Sequence, residues 1–182
     1  KQIVIIGIIL TMDELLVKII KLSPQHWAKY KAIRLEALKS DPIAFADIYD
    51  NAVVNEDSYW KKRLINPEQI WLFAEFDSHI VGMIGAYLKD NNQPSESAAI
   101  VGVYVSKNYR GKGICKKLMN QVLEDISKTG FIKKVKLWVA ETQNSARKLY
   151  EKSGFKYIGK DKKNIEHNGK VYEEFIMEKD LD

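Results

Sequence analysis

The sequence predicts a mixed α/β layer fold. Short apolar runs alternate with helix-period segments in the order β-α-α-β-β-β-α-β-α-β-β. No internal repeat or long low-complexity stretch interrupts that order, which excludes a solenoid. At 182 residues, 46% hydrophobic and 29% charged, the chain fits one domain with a core that needs no staples.

The elements follow in order. Residues 17–22 are apolar and Ser23-Pro24 follows, which predicts a strand and then a helix start. Trp27, Tyr30, Ile33, Arg34, Ala37 and Leu38 recur at helical spacing up to Asp41-Pro42. Trp60, Leu64 and Ile65 predict a second short helix ending at Asn66-Pro67. Residues 70–76 and 80–88 read as a hairpin joined by Asp77-Ser78-His79. Residues 90–96 read as a polar loop, and 98–105 as a further strand. Ile114, Leu118, Val122, Leu123 and Ile126 form an amphipathic helix that Gly130 ends. A strand over 135–140, a helix over 145–152 and strands over 155–158 and 171–177 complete the pattern, the last two linked by a charged loop that turns at Asn168-Gly169.

The gross chemistry narrows the function. A single cysteine excludes an intrachain disulfide and points to a reducing, cytoplasmic setting. The net charge of +5 suits an anionic ligand. No nucleic-acid motif accompanies it, so no nucleic-acid partner is expected. Residues 3–10 are apolar but too few to cross a bilayer, and no membrane partner is expected. Residues 1–11 are read as a non-native or edge-strand extension, and 12–182 as the functional domain. His26, His79 and His167 lack metal-ligand spacing and are read as surface residues.

The informative segment runs from Val103 to Lys116. An apolar strand enters a basic, glycine-rich turn, and a helix begins at once. Glycines admit positive φ and close ligand approach. The free N–H groups at a helix start carry about half a positive charge, which suits the turn to a pyrophosphate, the other reading being a solvent-exposed basic turn with no ligand. Arg110, Lys112 and Lys116 add cationic side chains. The pattern is not a P-loop, because no Ser or Thr follows a Gly-Lys pair. It is not a dinucleotide fingerprint, because the third spaced glycine is missing.

Arg110-Gly111-Lys112-Gly113-Ile114-Cys115 resembles the acetyl-CoA signature Gln/Arg-x-x-Gly-x-Gly/Ala of GNAT acetyltransferases, with Cys115 where Gly or Ala is usual. Downstream, Ala146, Leu149, Tyr150, Gly154 and Phe155 are similar in register to the family segment Asn-x-x-Ala-x-x-Leu-Tyr-x-x-x-Gly-Phe. Gln143 stands at the usual Asn position and Asn144 follows it. The resemblance implies a mostly antiparallel sheet, splayed between its fourth and fifth core strands, with helices on both faces. It implies acetyl-CoA as cosubstrate and a small-molecule or peptide amine as acceptor. Its pantetheine arm would lie between strands 98–105 and 135–140, with Gly102 at a bulge. Val103, Tyr104 and Val105 would offer main-chain groups to that arm, and one N–H would face the thioester oxygen. Residues 110–116 would hold the pyrophosphate, and Gln143, Asn144, Arg147 and Tyr150 would complete the cofactor site.

The resemblance makes Tyr150 the general acid for the departing thiolate. In water that transfer is uphill by about 2 kcal/mol, since a phenol titrates near 10 and a thiol near 8.5. The attacking amine must be neutral, so a base or water relay is expected. No glutamate lies on 97–102, and Glu96 and Glu141 are the base candidates, with Glu75 behind them. Cys115 sits at a helix start, where a thiol pKa can fall. No histidine is near it in sequence, and it is read as a small packing residue. Trp27, Phe45, Tyr49, Tyr59 and Trp60 fall in the region that shapes the acceptor pocket in the family. The alternative reading is a catalytically silent CoA-binding module. Oligomeric state stays open, and a homodimer is one arrangement the sequence allows.

Overall fold

The computed structural model describes residues 2–5, 8–11, 16–90, 93–161, 165–167 and 169–181. The strands are β1 (Gln2–Ile5), β2 (Ile8–Thr11), β3 (Lys18–Ile20), β4 (Gln69–Phe76), β5 (His79–Asp90), β6 (Gln93–Val105), β7 (Lys134–Ala140), β8 (Lys156–Lys160), β9 (Ile165–His167), β10 (Lys170–Tyr172) and β11 (Glu174–Asp180). The helices are α1 (Trp27–Ser40), α2 (Tyr49–Val53), α3 (Asp57–Ile65), α4 (Ile114–Ser127) and α5 (Asn144–Lys152).

Seven strands form the central sheet in the order β3-β4-β5-β6-β7-β11-β8. Every neighbouring pair is antiparallel except β6 and β7. Those two run parallel and pair over three positions, Ser97 with Lys134 through Ala99 with Lys136. Beyond Ala99 their pairing stops, so the sheet opens between its fourth and fifth core strands, counted from β3. β1 and β2 pair with each other in a separate two-stranded sheet, as do β9 and β10.

Each face of the central sheet has its own core. On one face α4 buries Ile114, Leu118, Met119, Val122 and Ile126 against Leu72, Ile84, Ile100 and Leu137, and Tyr150 of α5 joins them. Their spacing of three and four along α4 is the reason one stripe can face the sheet. On the other face α1 buries Tyr30, Ile33, Ala37 and Leu38 beside Trp60 of α3 and Trp71, Phe73, Met83 and Tyr104 of the strands.

The β4–β5 turn is tighter than the sequence suggested. Asp77 and Ser78 both take positive φ, at 46° and 63°, and His79 already pairs with Phe76. This is the mirror-image turn whose twist matches the strands. The expected loop over 90–96 is shorter too, because Gln93 and Pro94 pair with the end of β5. The expected strand over 171–177 breaks at Glu173, giving β10 to a local hairpin and β11 to the sheet. Asn168 of its turn lies outside the described residues. α2 went unseen because a five-residue helix shows little more than one turn of periodicity.

Candidate active site

Past the last β6–β7 pair, at Ala99, β6 carries a bulge against β5. Tyr104 pairs with Met83 and Val101 with Gly85, so Gly102 and Val103 together oppose Ile84. Gly102 holds φ +64°, which a side chain would strain. A Cβ there would also lie 2.9 Å from the Trp71 ring. The bulge expected at Gly102 is therefore present, and the packing of Trp71 adds a second reason for a glycine.

Below the bulge lies a cleft of about 1040 Å³, bounded by the free parts of β6 and β7, the 110–116 turn and the start of α5. Val103, Tyr104, Val105, Arg110, Gly111, Gly113, Ile114, Cys115, Lys116, Gln143, Asn144 and Tyr150 all line it, so most of the expected site is assembled in one place. Gly111 and Gly113 take φ of 76° and 74°, and Gly113 is the N-cap of α4. The first helical bond drawn to the cap runs from the Lys117 N–H to the Gly113 carbonyl. The N–H groups of Ile114, Cys115 and Lys116 precede it and have no intrahelical acceptor, which leaves them for an anion.

Three cationic side chains behave differently from expectation. Arg110 is not extended toward the turn. Its Nη2 donates to Asp41 Oδ2 at 2.6 Å, its Nε donates to the Val105 carbonyl at 2.8 Å, and it lies over the Tyr104 ring. It braces the cradle against the end of α1, and the ion pair holds the Arg110 pKa above and the Asp41 pKa below their ordinary values. Lys112 packs over the Tyr109 ring and does not line the cleft. Arg147 also turns away, donating to Asn144 Oδ1 and lying over Phe175.

Tyr150 is 6% exposed and lines the cleft. Among the described residues its hydroxyl has no hydrogen-bond partner. Burial, with Cys115 beside it, pushes its pKa well above the ordinary phenol value. Cys115 packs against the first core, and burial raises its thiol to about 11 against a lowering by Arg110. Cys115 is packed against the core, as expected of a small packing residue.

The base candidates lie elsewhere. Glu96 sits at the paired end of β6, where it meets Lys133 on the surface. Glu141 turns toward the Glu173 main chain and Glu75 toward Lys29. None of the three lines the cleft. A strand positions carboxylates by pleat and register, and their sequence neighbourhood near the motif did not reveal that. Glu174, at the start of β11 and paired with Ala140, does line the cleft. It is half-buried, and desolvation with the nearby Asp161 charge raises its pKa above the ordinary carboxylate value. The other cleft carboxylates are engaged: Asp41 with Arg110, Asp47 with Arg34 and Asp161 with the Trp138 indole. No sequence signal marked Glu174, because only the pairing of β11 with β7 brings it to the site.

The far wall comes from α1 and the segment that follows it. Arg34, Phe45, Asp47 and Tyr87 line the cleft there. Behind them Arg63 donates to the hydroxyls of Tyr30, Tyr59 and Tyr87 at 2.9, 3.0 and 3.0 Å. Phe45 is buried in the core and also lines the cleft, while Trp60 is core alone. His26 and His79 are exposed and His167 is half-buried, and no metal-binding cluster occurs among the described residues. No helix among them is long and apolar enough to cross a membrane.

Comparison with known proteins agrees with this geometry. The acetyltransferase (GNAT) family matches residues 31–155. The N-acetylaspartate synthetase of Xenopus tropicalis is 30% identical over 103 residues, 57% of this chain but only 35% of that protein. The L-amino acid N-acetyltransferase AaaT of Escherichia coli is 26% identical over 122 residues, covering 66% of this chain and 75% of that one. A GNAT acetyltransferase from Streptococcus pneumoniae shares the fold with TM-score 0.76 and 20% identity, over 91% of this chain and 99% of its own. The PaiA N-acetyltransferase of Thermoplasma acidophilum, solved in complex with coenzyme A, has TM-score 0.66 and 21% identity over the same shares. The chain belongs to the GNAT acetyltransferase family, whose cosubstrate is acetyl-CoA.

Proposed function

We propose that this chain is an N-acetyltransferase acting on a primary amine by direct attack, within an acetyltransferase domain spanning residues 12–182. The carrying observation is the coincidence of an anion cradle, an unzipped strand edge and a buried tyrosine in one cleft. Acetyl-CoA supplies the activated acetyl group. The N–H groups at the start of α4 and the Lys116 ammonium would hold its pyrophosphate. Each charge-assisted bond contributes about 1.5–3 kcal/mol, so a few give micromolar affinity. The β6 edge from Val103 to Val105 would hold the arm and offer an N–H to the thioester oxygen, where negative charge grows. The Val105 carbonyl is already taken by Arg110, so the main-chain contacts fall on the other groups of that edge.

Tyr150 would face the departing sulfur. A high phenol pKa makes a poor acid in water, but the same pocket raises a thiol as well, as Cys115 shows at about 11. The phenol is raised further than the thiol, so full proton transfer stays uphill. The hydroxyl remains protonated and donates a hydrogen bond to the sulfur as charge develops. Glu174 would take the proton from the amine, directly or through water. Glu96 and Glu141, outside the cleft, are left to surface and turn contacts.

The test follows release of free CoA thiol from acetyl-CoA on adding a broad panel of primary amines. Turnover with at least one amine is expected, and Tyr150→Phe lowers kcat about hundredfold while acetyl-CoA KM stays nearly constant. Acetyl-CoA binding with no turnover on any amine would instead support the silent module.

A further inference from the structure

Arg34 sits on the far wall of the cleft and is buried: its side chain is 9% exposed. Its Nη2 donates to Asp47 Oδ2 at 2.6 Å, and the guanidinium lies 4.7 Å from the Phe45 ring centroid. Its Nη1 is itself shut off from solvent and has no hydrogen-bond partner among the described residues. Buried donors are almost always satisfied, so an orphan at a cleft marks a missing acceptor. Asp47 does not balance the charge, because its own side chain is 51% exposed and remains largely solvated. The guanidinium therefore presents a second donor edge to an anion.

Position narrows the anion. Nη1 lies 3.8 Å from where a Cβ would stand on Gly102, the bulge residue on the stretch of β6 that no longer pairs with β7. Val103, the next residue, begins the edge assigned above to the thioester arm. A ligand reaching both must carry its negative group within a few bonds of its amine. Carboxylate is the group that a guanidinium edge meets best, by planar charge-assisted hydrogen bonds.

We infer that Arg34 binds the carboxylate of the acceptor, so that the acceptor is a free amino acid rather than a polyamine or an interior protein lysine. The Asp47 pair fixes the guanidinium plane and leaves Nη1 for the ligand, while Phe45 packs on its face. Arg34 is thus a specificity residue on the acceptor side, separate from the cradle. This inference rests on the acetyltransferase reading.

The experiment compares L-amino acids with their α-carboxamides as acceptors, in the wild type, Arg34→Gln and Arg34→Lys. The wild type should favour the free acid by at least tenfold in kcat/KM. In Arg34→Gln that ratio collapses toward one, chiefly through KM for the acid, and Arg34→Lys, which keeps the charge, lies between. Calorimetric titration of acetyl-CoA into each variant checks that the fold and the cradle persist. Equal use of acid and amide by the wild type, or an unchanged ratio in a folded Arg34→Gln, would overturn the inference and leave Nη1 to water. Turnover of amines lacking a carboxylate, with no amino acid used, would overturn it while preserving the acetyltransferase reading. Absence of any turnover would overturn both.

Discussion

The two walls of the cleft are built in opposite ways. The cradle wall is local: strand β6, the 110–113 turn and α4 follow one another in sequence, so a few residues specify the whole device. The opposite wall, the acceptor side on the reading proposed above, is assembled from α1, the 41–47 segment and β5, with Arg63 of α3 behind them, and these meet only through tertiary packing. A local device can be read from spacing. A wall made of distant single residues cannot, since Arg34 is only one polar position on a helix until its neighbours are known. On the reading proposed above, a compact motif would hold the cosubstrate, and contacts dispersed along the chain would choose the acceptor.

That contrast can be broken from either side. The largest expected effect is on the acceptor wall. Arg63→Met removes the donor shared by three tyrosine hydroxyls and the guanidinium packed over Trp71. It should lower unfolding stability by about 3 kcal/mol in a denaturant titration and impair acceptor KM more than acetyl-CoA affinity. A uniform loss of both would mean that the walls are one mechanical unit.

Next in size, Glu174→Gln should lower kcat/KM for the amine about tenfold near neutral pH. Its raised pKa sets the sign. The base works when ionised, so wild-type activity falls as pH drops through a value above the ordinary glutamate range. That acid limb should vanish from the pH–rate profile of Glu174→Gln, and a retained limb would assign the base elsewhere.

The smallest effect should come from Cys115→Ala, which restores the usual small residue of the signature. Acetyl-CoA affinity should change by less than about threefold, since the contact uses main-chain N–H groups. Stability should change with pH in a defined window. A thiol raised to about 11 in the folded state favours folding below the ordinary value near 9, and that contribution is lost as pH rises between the two. Alkaline denaturation should therefore be shallower over that window in Cys115→Ala.

Much of the fold was legible because its periods are strong. α4 places apolar residues at 114, 118, 122 and 126, and β7 reads as a short apolar strand. The bulge at Gly102 was legible because a glycine inside an apolar strand needs a reason. Arg110 was legible as a motif residue but not as a brace, because its partner Asp41 is 69 residues away in sequence. Glu174 and Arg34 were illegible as site residues for the same cause: register and packing, not spacing, bring them to the cleft. Glu96 and Glu141 were drawn to the site by proximity along the chain, which strand pairing and splay then undid.

The cradle carries the proposed cosubstrate site, and calorimetric titration of acetyl-CoA into the wild type and Gly113→Asp tests it most directly. Micromolar binding is predicted for the wild type. Gly113→Asp adds a side chain at φ 74° and a negative charge where a pyrophosphate would lie, and should weaken binding by at least about a hundredfold. Equal affinity of the two folded proteins, or no binding by the wild type, would contradict the assignment of this cleft to acetyl-CoA.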